Sequence, residues 1–166
     1  GYYCQNIKPN EKVVIITNDR DMCQLINKNV SVFFQDKKVR ITPDNFNKFF
    51  GFHHENALLM KILQGDTSDN IKGVKGVKSK TILKHIPEVA TQKVTLDEIF
   101  VKLEDIQSQR KKRLVALDNI INGVTLGSQG NRLYEINREI MDLSSPMITE
   151  GCKDDLDHLF DAHIDP

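Results

Sequence analysis

The apolar positions of the first half change period several times. Residues 12–17 contain four consecutive β-branched residues, Val13, Val14, Ile15 and Ile16. Apolar on both faces, they predict a buried strand with the pattern of a central strand in a parallel sheet. Residues 21–28 predict a short helix, and 30–34 and 39–42 predict two strands joined around Asp36-Lys37. Thr42 and then Pro43 read as the N-cap and first position of a helix ending near Phe50-Gly51. Residues 56–64 predict another helix, stopped by Gly65. The second half is helical in pattern. Leu96, Ile99, Phe100, Leu103 and Ile106 fall at helical spacing on one face, and Leu114, Leu117, Ile120 and Ile121 continue it in a following helix. Residues 123–130 read as a glycine-containing loop and 133–143 as a last helix before an acidic tail. The expected fold class is α/β, a partial parallel sheet with helices, followed by a helical C-terminal region. The boundary falls near residue 65, giving 1–65 and 66–166.

Composition narrows the function classes. The chain has 166 residues, 39% hydrophobic and 28% charged, enough for one domain with its own core and unlike a disordered chain. No apolar run approaches the roughly 20 residues of a membrane span, and no secretory signal opens the sequence, so no membrane partner is expected. Cys4, Cys23 and Cys152 are scattered without a Cys-x-x-Cys pair, which implies reduced thiols in a cytoplasm. The Asn, Lys and Ile usage looks phage-like, in which case the compartment is the host cytoplasm. The sequence begins at Gly1, which implies a fragment or a processed or trimmed chain.

Charge is balanced, 23 basic against 23 acidic residues, but unevenly placed. Lys72, Lys75, Lys78, Lys80 and Lys84 lie between Ile71 and Ile86 without an acid; Arg110 to Arg113 form a second basic cluster. Glu150, Asp154, Asp155, Asp157, Asp161 and Asp165 face one base, Lys153. Local basic patches are what a phosphate backbone meets, so overall neutrality does not exclude nucleic acid. Arg110 to Arg113 and the acidic tail read more simply as solvated surface.

Two pairs of carboxylates carry candidate chemistry. Asp19 and Asp21 follow the first strand directly, and ligands of open α/β sheets bind outside the carboxyl ends of strands. Asp66 and Asp69 sit three apart, on one side of a helical turn or tight loop. Each pair alone reads equally as helix caps or a turn. A calcium loop does not fit, because counting from Asp66 puts Ile71 where glycine is needed and Val77 where the bidentate Glu is needed. The five histidines lack zinc spacing. Hard oxygen ligands without His or Cys favour Mg²⁺ or Mn²⁺, the usual equipment of phosphodiester chemistry.

A glycine- and lysine-rich segment follows at once. In residues 71–81, Gly73 and Gly76 flank Val74 and Lys75 and allow a tight turn with outward backbone N–H groups. Ser79 can cap the helix carrying Ile82, Leu83 and Ile86, whose N-terminus suits a phosphate. Lys75, Lys78 and Lys80 would add affinity without reading bases. An ordinary loop with solubilising lysines is the plain alternative.

Residues 14–25, with Ile16-Thr17-Asn18-Asp19-Arg20-Asp21 at their centre, resemble the strand and Asp-x-Asp segment of the 5′-nuclease family. That family includes flap endonucleases, phage 5′–3′ exonucleases and the 5′-nuclease domain of bacterial DNA polymerase I. Residues 63–77, with Gly65-Asp66-Thr67-Ser68-Asp69-Asn70, resemble its Gly-Asp-x-x-Asp-Asn segment and helix-hairpin-helix. The order of the two motifs is also the family's, and the likeness covers residues 1–90 best.

The resemblance implies a Mg²⁺-dependent (or Mn²⁺-dependent) hydrolase. Asp19, Asp21, Asp66 and Asp69 match acids of the second metal site. The hairpin around Gly73, Val74, Lys75 and Gly76 matches the element that grips duplex or flapped DNA without regard to sequence, and in some relatives it also binds K⁺. A monomer is expected. The family usually carries glycine where this chain has Lys78, and a left-handed backbone there would cost lysine about 1 kcal/mol or more. The family's first metal site uses an earlier strand and a Glu-Ala-Asp-Asp-like segment, with no counterpart here, so the chain is expected to carry half of a two-metal site. Two other readings stay open: a non-catalytic DNA-binding module, and a structural α/β domain whose aspartates only cap helices.

Overall fold

The structure is a computed structural model and describes residues 1–125 and 132–162. The expected glycine loop therefore lies, from residue 126 on, outside the described residues, as do His163 and Asp165. A short helix α1 (Tyr2–Asn6) precedes strand β1 (Val13–Thr17), a 3-10 turn (Arg20–Leu25) and strands β2 (Val30–Phe34) and β3 (Val39–Ile41). The sheet order is β1-β2-β3, with β1 parallel to β2 in the register Val13↔Val30 to Thr17↔Phe34. The hairpin partner β3 is antiparallel, with Val32↔Ile41. The sheet is thus small and mixed, one pairing parallel and one antiparallel, where the pattern predicts part of a parallel sheet.

The position of β1 differs from its pattern. It is an edge strand, and burial alternates along it, with Val14 42% and Ile16 62% exposed. The run of β-branched residues specifies extended backbone; what packs on each face decides burial, and that lies outside the local sequence. The strand flanked on both sides is β2, and Val30 and Val32 are its buried centre.

Helix α2 (Pro43–Phe50) begins and ends as its sequence predicts. Thr42 donates its N–H to Asn45 Oδ1 at 2.9 Å, Pro43 occupies the first turn, and Gly51 closes the helix in left-handed geometry. Helix α3 (Ala57–Gln64) is apolar nearly all round, and Ala57, Leu59, Met60, Ile62 and Leu63 are buried. Beneath its start, Asn56 is fully buried and clamps the segment below: its Nδ2 donates to Val89 O at 2.9 Å and Gln92 O at 2.7 Å, while its Oδ1 accepts from Val94 N at 2.9 Å.

Next comes a two-stranded antiparallel ribbon, β4 (Gly65–Asp66) and β5 (Ile71–Lys72), which the apolar pattern did not announce. Helices α4 (Ser79–His85), α5 (Leu96–Ser108), α6 (Val115–Ile121) and α7 (Arg132–Met141) follow. The α5 stripe is the expected one: Ile99 and Leu103 are fully buried, with Leu96, Phe100 and Ile106 packed beside them. Residue Gln107 ties α5 to α6, donating to Leu114 O and accepting from Leu114 N, both at 2.9 Å. One apolar cluster runs continuously from Cys23 to Tyr134, across sheet and helices.

The acidic tail is a mostly exposed helix, α8 (Glu150–Ala162). It lies against α1. Tyr2 OH donates to Asp157 Oδ2 at 3.0 Å, and the rings of Tyr3 and Phe160 are 4.4 Å apart.

Candidate metal centre

The first acids are placed by the end of β1. As the chain leaves the strand, Asp19 N–H donates to Thr17 Oγ1 at 3.0 Å, and Asp19 Oδ1 then accepts from Asp21 N at 2.8 Å. Asp19 therefore N-caps the 3-10 turn, and Asp21 projects from its first residues. The thiol of Cys23 points inward from the same turn; burial pushes it up to about 12, so it is inert at neutral pH.

The second pair is placed by the ribbon. Asp66 pairs with Ile71, and the turn between them is closed by Asn70 in left-handed geometry (φ 57°). Asp66 Oδ1 accepts from Ser68 N at 2.9 Å. One carboxylate oxygen each from Asp21, Asp66 and Asp69 lies within 4.8 Å of the others. Asp19 is not in that group. Three of the four expected acids, from two segments far apart in sequence, thus converge.

A cation already touches this cluster. Lys61 Nζ donates to Asp66 Oδ2 at 2.8 Å and to Asp21 Oδ1, with its side chain 19% exposed. Burial alone would pull the lysine down, but its hydrogen bonds to Asp21 and Asp66 outweigh that and hold it above the ordinary lysine range. The same bond, with help from Ser68, holds the Asp66 carboxyl far below the ordinary carboxylate range. The ammonium is a stand-in for a cation, and the donors around it are hard oxygens, so a divalent ion such as Mg²⁺ fits the set. Beside the carboxylates opens a cleft of about 220 Å³ walled by Phe46, Phe50 and Phe52, which keeps one side of the site apolar.

The glycine–lysine segment packs directly behind. Gly73 abuts the end of α3 so closely that an added Cβ would lie 2.0 Å from the Gln64 carbonyl carbon. Gly76 has φ +75°, and a Cβ there would meet open space. Lys78 has extended backbone (φ −132°), so the substitution of lysine for the family's glycine carries no left-handed strain. It is Lys78, not Ser79, that occupies the N-cap of α4. Ser79 is the first helical residue, and its Oγ and N–H both donate to Gln64 Oε1, at 2.8 and 3.1 Å. The reason is Gln64, which offers the serine a carbonyl from the preceding helix. A cleft of about 520 Å³ runs along this segment, lined by Lys72, Lys75 and Lys78 among others. Lys75, Lys78 and Lys80 are exposed; Val74 is buried and anchors the loop, donating its N–H to Leu63 O at 2.8 Å.

Sequence reasoning missed the supports. Asn137 of α7 is buried and donates to Ile62 O and Lys72 O, both at 2.9 Å, fixing the ribbon to α3. Asn119 and Thr125 donate to Lys75 O and Gly73 O, both at 3.0 Å. No local pattern marks these residues. Lys61 had a signal: it is the only charged residue between Glu55 and Asp66, inside an apolar helix.

No family model matches the chain. It is 38% identical over 110 residues to DNA polymerase I of Caldicellulosiruptor bescii, covering 63% of this chain and 12% of that protein. It is 34% identical over 98 residues to a 5′-3′ exonuclease of Buchnera aphidicola subsp. Schizaphis graminum, covering 59% of this chain and 33% of that one. The chain resembles the 5′-nuclease family. The matches take in well under half the length of either relative. The fold is shared with the bacteriophage T5 flap endonuclease, solved as a pseudo-enzyme–product complex with DNA and metal ions. The TM-score is 0.57 at 21% identity, over 80% of this chain and 43% of that one.

Proposed function

We propose that this chain forms one metal seat and the DNA-gripping element of a Mg²⁺-dependent, structure-specific 5′ nuclease that hydrolyses DNA, or RNA–DNA hybrids, in replication or repair. The observation that carries the proposal is the convergence of Asp21, Asp66 and Asp69 within 4.8 Å, followed in the chain by a lysine-lined cleft. The likeness to polymerase I and a 5′-3′ exonuclease supports it. The T5 enzyme's complex with DNA and metal ions supports DNA as the ligand.

The roles divide by chemistry. A divalent ion supplies Lewis acidity at the scissile phosphodiester, lowering the cost of its developing charge. Asp21, Asp66 and Asp69 would hold that ion, and Asp19 would orient Asp21 through its cap while offering its second oxygen. The phenylalanine wall would limit water on one side of the seat. Lys72, Lys75, Lys78 and Lys80 would meet successive phosphates without reading bases, and the hairpin carbonyls would suit K⁺. On this reading residues 1–65 are the C-terminal part of an α/β nuclease core. Residues 66–166 are a helical region whose helix-hairpin-helix spans about 66–90. The chain would act as a monomer in a cytoplasm, and its own active site would be incomplete, the other carboxylates of a two-ion site lying outside these residues.

A non-catalytic DNA-binding module is the second reading. It is favoured by there being, among the described residues, one such carboxylate group and not two. The test is a labelled 5′-flap DNA incubated with the chain and Mg²⁺ or Mn²⁺, beside Asp21→Asn and Asp66→Asn. Metal-dependent cutting lost in both variants supports the nuclease. Salt-sensitive binding without cutting means that these residues grip DNA and that any chemistry needs residues outside them. Neither binding nor cutting defeats both.

A further inference from the structure

Lys61 reaches into the cluster proposed to hold the metal. Its ammonium hydrogen-bonds Asp21 Oδ1 and Asp66 Oδ2, two of the three acids of the cluster. The other oxygen of Asp66 is engaged as well, by the N–H and hydroxyl of Ser68. Both Asp66 oxygens are therefore satisfied without any metal. A divalent ion drawn to these oxygens meets an ammonium already hydrogen-bonded to two of them, and two cations this close repel and compete for the same lone pairs.

The geometry of Lys61 permits it to be the one that moves. The residue lies on α3, one turn ahead of Gly65, and reaches the cluster through a flexible four-carbon stem. Its carboxylate partners are fixed differently: Asp21 by the capped 3-10 turn, Asp66 by the ribbon. Rotation of the lysine stem disturbs neither element.

We propose that Lys61 is the resident cation of the seat, holding Asp21 and Asp66 together in the metal-free protein and being displaced when a divalent ion binds. Once displaced, its ammonium is free beside the metal, placed to meet an anionic oxygen of a phosphodiester. Lys61 is thus a positioning residue that competes with the ion and pre-arranges its ligands. The inference rests on the metal reading of the cluster.

The test uses metal binding and lysine chemistry, not turnover. Mn²⁺ affinity is measured by calorimetry on wild type, Lys61→Met and Lys61→Arg, with folding checked by circular dichroism. Loss of the competitor is expected to tighten Mn²⁺ in Lys61→Met by at least about tenfold, while Lys61→Arg stays near wild type. In metal-free buffer Lys61→Met is expected to melt below wild type, and saturating Mn²⁺ to remove the difference. On wild type alone, reductive methylation read by mass spectrometry is expected to label Lys61 several-fold faster with Mn²⁺ than with chelator, and this arm stands even where Lys61→Met fails to fold. Wild type that binds Mn²⁺ while Lys61→Met is unchanged or weaker, or Lys61 labelling that is unchanged or slowed by Mn²⁺, overturns the displacement but leaves the metal seat intact. No Mn²⁺ binding by any form overturns the seat and the inference with it.

Discussion

Gly73 and Gly76 lie three residues apart in one loop and should respond to the same substitution in different ways. At Gly76 the backbone is left-handed but the space is open. Alanine there pays only conformational strain, about 1 kcal/mol. At Gly73 the space is closed by backbone: an added Cβ would lie 2.0 Å from Gln64 C, 2.3 Å from Gln64 O and 2.3 Å from Gly65 N. No rotamer relieves a contact with main chain, so the loop must separate from the end of α3. Overpacking costs about 1–3 kcal/mol, and separation also strains the adjoining Gly65↔Lys72 pairing, at about 1 kcal/mol per lost hydrogen bond. Gly73→Ala should therefore cost about 2–4 kcal/mol, against about 1 for Gly76→Ala. At about 2–4 °C per kcal/mol for a chain of this size, the melting temperatures should fall by about 4–16 °C and about 2–4 °C. Thermal melts followed by circular dichroism, with urea midpoints alongside, measure both. Equal losses, or a larger loss for Gly76→Ala, would refute the close-approach argument.

Asn56→Ala should lose about 3 kcal/mol in urea unfolding, because three hydrogen bonds go and buried partners are left unpaired; a loss under about 1 kcal/mol would mean water replaces the side chain. Acid should act through Asp66. Its carboxyl is held below the ordinary 3.8, so the stability it contributes is full above that value and lost as pH falls below it, and in chelator the gap in melting temperature between wild type and Asp66→Asn should shrink between neutral pH and about pH 3. Lys75→Ala and Lys78→Ala should each weaken duplex binding uniformly across sequences and lower the slope of log affinity against log salt by about 0.9; a sequence-dependent loss in a binding titration would contradict phosphate contact.

Much of the fold was legible because its signals are local. The Thr42-Pro43 start, the Gly51 and Gly65 stops and the α5 stripe each depend on a few adjacent residues, and each is found in place. What the sequence hid is decided by distant partners. The edge position of β1 depends on which strands lie beside it, and Val14 and Ile16 look the same in either place. Ser79 reads as a cap until Gln64, fifteen residues earlier, offers it a better acceptor. The buried polar supports Asn56, Gln107 and Asn137 are indistinguishable in sequence from surface amides, because their burial is a property of the packed elements around them. Among the acids, spacing singled out two pairs, but only the fold separates Asp19, engaged as a cap, from the three that gather.

That gathering has an energetic consequence. Carboxylates within 4.8 Å repel, by about 3 kcal/mol per pair at an effective dielectric near 20 before solvent and salt reduce it. The elements carrying Asp21 and Asp66 are tied down by hydrogen bonds: one follows the paired end of β1, the other lies within the ribbon that Asn137 ties to α3. Positive charge beside such a cluster relieves that repulsion. In the structure Lys61 supplies that charge to Asp21 and Asp66, while Asp69 stays on the exposed turn where water screens it. The arrangement leaves the three acids gathered, with Lys61 held beside two of them on a long flexible stem.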